Sequence, residues 1–565
     1  MSTIKNHINT YADLTAYNND MGKDYPNVSY IEEDDIVLFE GIRYEEQYFT
    51  IESLEDDNAV KFKLSATTGT PSASSAKTIS VSTDDGKTWT DYTSTANGTT
   101  IATLNMGEKV LIKGNNDTYY TRGSGSWDSG NYFNCFTASN QIDINGNIMS
   151  LIYGDNFKEQ YSFPSGTTNN FYSMFENSPV VSAENLVLPA TTLANACYAN
   201  MFNGCTSLTT APKLPATTLA SNCYNWMFAN TNVLPDCSNI DFTSETVVSS
   251  GGLKGLFSGT KVTDSDLDRL LPKNANGKYC LPATTLTDSC YYSMFYGCTS
   301  LTTAPVLPAT TLAQSCYYEM FYGCTSLTTA PVLPATTLAQ SCYDEMFYGC
   351  TSLTTAPELP ATTLAQSCCS SMFCGCTSLT TAPQLPATTI ASGCYQNMFN
   401  GCTSLITAPK LPATTLANNC YAHMFMGCTS LTTAPALSAT ALAQSCYSSM
   451  FDGCTSLTTA PQLPATTLAQ SCCSSMFRNC TSLTTAPALS ARTLVKNCYY
   501  YMFYGCKNLN YIKAMFTTKP STIYTSNWVS GVAASGTFVK NSAATWNVTG
   551  VNGVPSDWTI QKASS

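Results

Sequence analysis

The sequence predicts an α/β solenoid of 26-residue units with a parallel sheet, preceded by a small all-β sandwich domain. Two observations lead to this fold class. A Met-Phe pair recurs nine times at a spacing of 26 residues, and short alternating apolar segments bounded by Gly, Asn, Asp or Ser come before the first regular unit. The phenylalanines of the nine pairs are Phe295, Phe321, Phe347, Phe373, Phe399, Phe425, Phe451, Phe477 and Phe503.

Four further phenylalanines, Phe175, Phe202, Phe228 and Phe257, extend the pattern toward the N-terminus with irregular spacing. The array is therefore expected to hold about 13 coils. A single unit cannot bury its apolar side alone, so neighbouring units must stack, with their strands in parallel about 4.8 Å apart.

One unit, Cys298 to Cys324, predicts a strand followed by a turn. Ser300 to Ala304 is short and β-prone, and the strand must end at Pro305 because proline cannot donate a hydrogen bond to a sheet ladder. The chain then turns through Leu307 to Thr311.

The second half of the unit predicts a short helix. From Leu312 onward, apolar residues recur at i, i+1, i+4, i+5, i+8 and i+9, which corresponds to one helical face. Thr310 or Thr311 is the expected N-cap, and Gly323 fits the left-handed residue that ends a helix. The side chains expected to point inward are Leu301, Ala304, Leu307, Leu312, Cys316, Met320, Phe321 and Cys324, with their copies every 26 residues.

Most of the 27 cysteines fall into two series at the same spacing. One series includes Cys316 and the other includes Cys324. Stacking would make the members of each series equivalent, so no disulfide pairing would be unique. We expect reduced, buried thiols that pack as small apolar side chains.

The N-terminal end is acidic. Charged residues make up only 11% of the chain and its net charge is −12, but residues 1–60 hold 14 acidic and 3 basic residues. A nucleic-acid partner is not expected, since a phosphate backbone requires a basic surface. The sequence from Met1 contains no apolar stretch typical of a signal peptide or a membrane span, so neither export by a standard signal nor membrane insertion is expected.

Four domains are predicted: an acidic docking segment at residues 1–46, a β-sandwich-like domain at 47–150, the solenoid at 151–506 and a C-terminal cap at 507–565. The sandwich strands are expected within Tyr48–Ile51, Val60–Leu64, Thr78–Val81 and Lys109–Ile112. The cap retains Trp528, Phe538, Trp546 and Trp558, and the open edge of a stack requires such a cover.

The repeated unit is Cys-Thr-Ser-Leu-Thr-Thr-Ala-Pro-x-Leu-Pro-Ala-Thr-Thr-Leu-Ala-x-x-Cys-Tyr-x-x-Met-Phe-x-Gly. It resembles the BspA-type leucine-rich repeat, over roughly Phe171 to Leu509. Such repeats occur in surface proteins of Bacteroidetes and some protists and in phages of Bacteroidetes, and the resemblance implies adhesion and recognition. The acidic segment and sandwich are similar to N-terminal regions of virion-associated proteins from Bacteroidetes phages.

The sequence contains few groups that could support catalysis. Only two histidines are present, His7 and His423, and there is no Cys-x-x-Cys, nucleophile elbow or phosphate loop. Ser82 to Trp89 matches the Asp-box pattern Ser-x-Asp-x-Gly-x-Thr-Trp, and we interpret this single copy as a hairpin turn. We therefore expect no enzyme activity, cofactor or metal.

Positions that vary between units are expected to face solvent. They form a predicted exposed aromatic strip: Tyr292, Tyr296, Tyr318, Tyr322 and Tyr348. Exposed tyrosines among few charges suit stacking on a glycan or contact with a protein. The alternative is that these rings are a relic of repeat duplication and pack only on one another.

Together these features favour a virion appendage or fibre-type protein on the virion surface. Its N-terminal region would dock on other virion proteins and its repeats would bind a host-surface glycan or protein. The alternative is a bacterial cell-surface adhesin. A homo-oligomer is left open, because no coiled-coil heptads support the trimers common among fibre proteins.

Overall fold

The computed structural model describes residues 28–33, 36–41, 43–68, 70–122, 131–233 and 251–563. Residues 1–27, more than half of the predicted acidic docking segment, lie outside this description. Three α-helices of four residues each are formed: α1 (Ser150–Tyr153), α2 (Leu267–Leu270) and α3 (Thr522–Thr525). Short 3-10 helices cover Tyr44–Glu46, Ala73–Ser75, Gly154–Asn156 and Asp264–Asp266.

Strands account for most of the regular structure. They are β1 (Val28–Glu33), β2 (Ile36–Gly41), β3 (Phe49–Ser53), β4 (Asn58–Ala66), β5 (Thr78–Ser82), β6 (Thr90–Thr93), β7 (Thr99–Leu104), β8 (Lys109–Gly114), β9 (Tyr120–Thr121), β10 (Tyr132–Ala138), β11 (Ile142–Asn147), β12 (Val180–Ser182), β13 (Leu186–Val187), β14 (Tyr511–Ala514), β15 (Thr537–Lys540) and β16 (Thr559–Lys562).

The region before the repeats is rich in β-structure, as predicted. One sheet has the order β7-β4-β10-β9 and a second has the order β12-β11-β3-β8-β5-β6, while β13 pairs with β11. Phe49 of the second sheet contacts Phe136 of the first, with ring centroids 5.5 Å apart. The two sheets therefore share an apolar core. The strands predicted from alternation correspond to β3, β4, β5 and β8.

The Asp-box segment forms the predicted hairpin turn between β5 and β6. The Asp84 carboxylate accepts hydrogen bonds from the Thr88 backbone N–H at 2.9 Å and from its hydroxyl at 2.7 Å. The Ser82 hydroxyl accepts the Gly86 N–H at 2.9 Å. The motif thus closes its own turn.

Strand β11 connects the β-rich region to the first repeats. It pairs antiparallel with β3 on one side and parallel with β12 and β13. Phe175 of the first coil contacts Phe49 at 5.7 Å and Phe202 of the second coil at 5.4 Å. The apolar core therefore continues from the sheets into the repeats.

Equivalent side chains of consecutive repeats lie on one another. From Phe295 to Phe503, each of the nine phenylalanines in register stacks on the next, with ring centroids 5.6–5.7 Å apart and interplanar angles of 4–9°. All of these rings are buried. The predicted stacking of coils, on which the fold prediction depended, is confirmed by this column.

A row of turns stands in place of the predicted short helix; we call residues 315–324 and their equivalents the turn row. Ser315, Glu319 and Gly323 have φ of 52°, 53° and 67°, in the left-handed region that an α-helix excludes. The structure assigns no helix in residues 284–506, all of which it describes. The helix prediction was wrong because a turn recurring every four residues spaces apolar side chains as a helical face does.

The backbone hydrogen bonds of the turn row alternate between two kinds. Tyr318 donates its N–H to the carbonyl three residues earlier, at 3.2 Å, which closes a turn within the coil. Tyr317 donates to Cys342 O at 3.1 Å and Phe321 donates to Met346 O at 2.9 Å, both in the following coil. In the regular coils, these inter-coil N–H groups therefore all point toward the C-terminal end.

The predicted strand of each unit is reduced to a single residue. Thr303 forms an isolated parallel bridge with Thr329, and the series continues coil by coil to Thr459. Pro305 and Pro308 follow within five residues and have no N–H to donate, so the ladder cannot widen. Thr310 and Thr311 follow this segment and cap no helix.

The expected inward positions are buried, except for Ala304 and Leu312, which are half-buried against the core. Tyr317 is also buried, 1% exposed, although the inward prediction omitted it. It stacks on Tyr343 with ring centroids 6.1 Å apart. The core thus contains a second aromatic column, interrupted where Cys369 and Cys473 replace tyrosine.

All 26 cysteines that the structure describes are buried and free. The predicted burial is therefore confirmed. In the series that contains Cys324, each thiol from Cys298 to Cys506 donates to the carbonyl of a phenylalanine in the preceding coil, at 2.9–3.1 Å. Cysteine in this series supplies a donor as well as apolar volume.

The C-terminal end of the stack is covered by tryptophan. Trp528 contacts Phe503 at 6.0 Å and Tyr499 at 6.2 Å, so one indole lies over the last ring of both columns. Its Nε1–H donates to Gly553 O at 2.9 Å. Burying this large side chain removes the final rings from water.

Candidate functional site

The five predicted tyrosines lie together on the turn row; we call Tyr292, Tyr296, Tyr318, Tyr322 and Tyr348 the tyrosine strip. They occupy two columns because positions 26 residues apart are in register. Ring centroids are 4.6 Å apart for Tyr292–Tyr318, 4.7 Å for Tyr296–Tyr322 and 4.6 Å for Tyr322–Tyr348, with interplanar angles of 4–17°. Within each column, the structure therefore brings the predicted rings into direct contact.

The tyrosine strip is less accessible than the sequence predicted. All five rings are half-buried rather than exposed, because each ring covers a face of its neighbour in the column. A sugar ring stacks on an open aromatic face, and the faces between neighbouring coils are already occupied. A partner would therefore contact mainly the ring edges, the hydroxyl groups and the outer ring faces at the ends of the columns.

Three carboxylates accompany the tyrosines and were missed by sequence reasoning: Glu319, Asp344 and Glu345. They occupy variable positions of the turn row, which was the available signal. The Ser293 hydroxyl donates to Glu319 Oε2 at 2.8 Å. Burial raises the pKa of Tyr292 to about 12, and the nearby negative charges of Glu319, Glu345 and Asp344 act in the same direction. The patch is thus both aromatic and acidic.

Asp344 occupies the position in its coil that Tyr318 occupies in the preceding coil. Burial raises the pKa of its carboxyl to about 7; hydrogen bonds from Ser370 and Ser341 oppose this shift, while Glu345 and Glu319 add to it. Near neutral pH this carboxyl therefore exists in both protonated and ionised forms.

A lysine lies at the N-terminal end of the Tyr292–Tyr318 column. Lys254 Nζ is 3.9 Å from the centroid of the Tyr292 ring, within the range of a cation–π interaction. Burial lowers the pKa of Lys254, and the negative charge of Glu319 opposes that shift. The outer face of this column therefore already holds an ammonium group.

Farther along the column that contains Tyr348, Asp452 and Arg478 form an ion pair. Arg478 donates from Nε and Nη2 to Asp452 Oδ2 at 2.8 and 2.7 Å, and the Asp452 side chain is only 4% exposed. Burial lowers the pKa of His423 nearby, while Asp452 opposes the shift. These charges are matched within the chain, unlike the carboxylates of the tyrosine strip.

Across the described ranges, no cluster of three or more His, Cys, Asp or Glu side chains is placed to hold a metal ion. In the same residues, no helix combines the length and apolarity needed to cross a bilayer.

A comparison with protein families finds a match in the repeat region. Residues 284–405, 340–461 and 394–526 match the BspA type leucine rich repeat region, in six copies. No curated protein and no solved structure matches the chain. The resemblance predicted from the repeated unit is confirmed for this part of the chain.

Proposed function

We propose that the chain is a non-enzymatic binding protein whose repeats bind a host-surface glycan or protein, because residues 284–526 match the BspA type leucine rich repeat region. The observation that carries this proposal is the tyrosine strip. Tyrosine rings occupy the same positions in consecutive coils, other residues stand there in the coils that follow, and tyrosine returns only in the last coil, at Tyr500 and Tyr504. Proteins of this repeat type are often adhesin-like and generally not enzymes, which supports the proposal.

We place the protein on the virion surface, as an appendage or fibre-type component. The similarity of the N-terminal region to virion-associated proteins of Bacteroidetes phages supports this assignment, as does the concentration of negative charge in residues 1–60. That region would dock on other virion proteins, and the repeats would extend away from the particle. We further propose that the stacked coils form one elongated solenoid, which small-angle scattering would detect as a rod-like profile.

The second candidate is a bacterial cell-surface adhesin, which the family match alone favours. Mass spectrometry of purified phage particles separates the two. Recovery of this chain from particles supports the virion assignment, whereas recovery only from bacterial surface fractions supports the adhesin.

The binding role is tested by the double substitution Tyr322→Ala and Tyr348→Ala. The variant should lose attachment to host cells while keeping the thermal unfolding profile of the array. A matched control is Tyr500→Ala with Tyr504→Ala, which removes two exposed rings at the C-terminal end of the repeats. Undiminished attachment of the strip variant would reject the strip as the binding site.

A further inference from the structure

The tyrosine strip carries unmatched negative charge. Glu319, Asp344 and Glu345 accompany the two columns, and among the residues that the structure describes none of these carboxylates lies within 4.0 Å of a cationic nitrogen. Glu319 and Glu345 occupy equivalent positions of consecutive coils, where neighbouring rings are only 4.6–4.7 Å apart. Their charges are therefore close enough for one ligand to contact both.

The chain itself provides two examples of a cation held by these columns. Lys254 places its ammonium 3.9 Å from the Tyr292 centroid, so the outer ring face accepts a cation. Farther along the other column, Arg478 lies one coil beyond Asp452 and pairs with its carboxylate at 2.7 Å. An arginine side chain thus fits the spacing of these columns when a carboxylate is adjacent.

A neutral glycan fits the patch less well. Sugar rings bind by stacking on open aromatic faces, and within the strip those faces cover one another. Ring edges and hydroxyls combined with carboxylates instead suit lysine and arginine, whose cationic groups pair with carboxylates and whose apolar stems lie along aromatic surface.

We propose that the tyrosine strip, with Glu319, Asp344 and Glu345, docks a lysine- and arginine-rich segment of a partner protein. The inference rests on the proposed binding role of the strip and specifies the class of partner. Charge complementarity selects this occupant: Glu319, Glu345 and the partly ionised Asp344 outnumber the single lysine, Lys254, and the whole chain has a net charge of −12, so a second copy of this chain is disfavoured.

The test uses the full chain and a fluorescein-labelled peptide that alternates arginine and serine, with binding followed by fluorescence anisotropy. A peptide of equal length with glutamine in place of arginine controls for backbone contacts. The double variant Glu319→Gln and Glu345→Gln should weaken binding of the arginine peptide by about tenfold or more, as expected for charge pairs that lose one partner.

A matched variant, Asp288→Asn with Glu358→Gln, removes two exposed carboxylates outside the strip and should change the affinity less than about threefold, because such charges act only at long range. Equal weakening by both variants would mean that overall charge, and not the strip, attracts the peptide. Absence of arginine-peptide binding to the unaltered chain, or equal binding of the glutamine peptide, would also overturn the inference.

Failure of this inference is distinguishable from failure of the proposed function. If Tyr322→Ala with Tyr348→Ala abolishes host attachment but the arginine peptide does not bind, the strip is a binding site and the assignment of a cationic partner is wrong. If the peptide binds through the strip but attachment is unchanged, the cationic partner stands and the host-binding role is wrong.

Discussion

The thiol of Cys350 donates to the carbonyl oxygen of Phe321 in the preceding coil, with Sγ and O 3.1 Å apart. Cys342, in the other cysteine series, lies 3.9 Å from its acceptor, Cys368 O. Both side chains are fully buried. The two series therefore offer a matched pair in which burial is equal and hydrogen bonding differs.

Cys350→Ala should lower the free energy of unfolding by roughly 1–2 kcal/mol, and Cys342→Ala by less, because only the first loses a short hydrogen bond in addition to apolar volume. Urea denaturation followed by circular dichroism measures both. Equal losses would show that the thiol acts only by filling space.

The left-handed backbone conformation of residues in the turn row predicts how substitutions at these residues change stability. Ser445 has φ of 52° and is half-buried, and Ser448, three residues later, is half-buried without a positive φ. Ser445→Gly should be neutral or stabilise by up to about 1 kcal/mol, whereas Ser445→Val should destabilise by about 1–2 kcal/mol, since β-branched residues disfavour this conformation. Ser448→Val is the control for side-chain size. If both valine variants melt alike, backbone conformation is not the cause.

The titration of Asp344 predicts a dependence of stability on pH. Its pKa is raised from 3.8 to about 7, so the folded state binds the proton more tightly than the unfolded state. The resulting stabilisation is present below about pH 4 and is lost as the pH rises through about 7. Asp344→Asn keeps the side chain neutral and should raise the unfolding free energy at about pH 8 by about 1–2 kcal/mol after solvent screening, with little effect near pH 4.

Thermal melts of Asp344→Asn and the unaltered chain across this pH range provide the measurement. Glu358→Gln, at an exposed position, serves as the charge control. A gain in melting temperature that is the same at both ends of the range would contradict the proposed titration.

The buried cysteines are expected to react slowly with thiol reagents in the native state. The chain holds 27 cysteines, and burial raises the pKa of Cys298 and of Cys316 to about 12, so thiolate is scarce at neutral pH. A thiol reagent should therefore modify few sites in the native protein and nearly all of them in denaturant without reductant. Reaction of fewer than half the thiols in denaturant would mean that disulfides are present.

The 26-residue period was sufficient to predict the stacking and most of the core. Phe321, Met320 and Cys324 were assigned inward because a fixed residue type at a fixed spacing has to meet its own copy in the next coil. The local conformation could not be predicted in the same way. Two apolar residues in every four positions are compatible both with one face of a helix and with a series of four-residue turns. Only Gly323 indicated a left-handed backbone.

The sequence predicted where the tyrosines of the strip lie but not how accessible their rings are. Solvent-facing positions were identified from their variation between units. Their mutual burial follows from the coil spacing, which brings Tyr322 and Tyr348 within 4.6 Å. Glu319 and Glu345 were missed because the prediction considered the varying tyrosine positions and not the positions three residues before Tyr322 and Tyr348.

Within the turn row, the common direction of the inter-coil hydrogen bonds gives the row two chemically unlike ends. At the N-terminal end, Met174 O accepts the N–H of Phe136 from β10 at 2.8 Å; at the other end, the Asn527 N–H reaches the side-chain oxygen of Asn552 at 2.8 Å. Aligned peptide dipoles of about 3.5 D each add along such an axis, with the positive pole at the C-terminal end. Backbone pairing between two turn rows would therefore continue head to tail, because like ends of the row would oppose donor to donor or acceptor to acceptor.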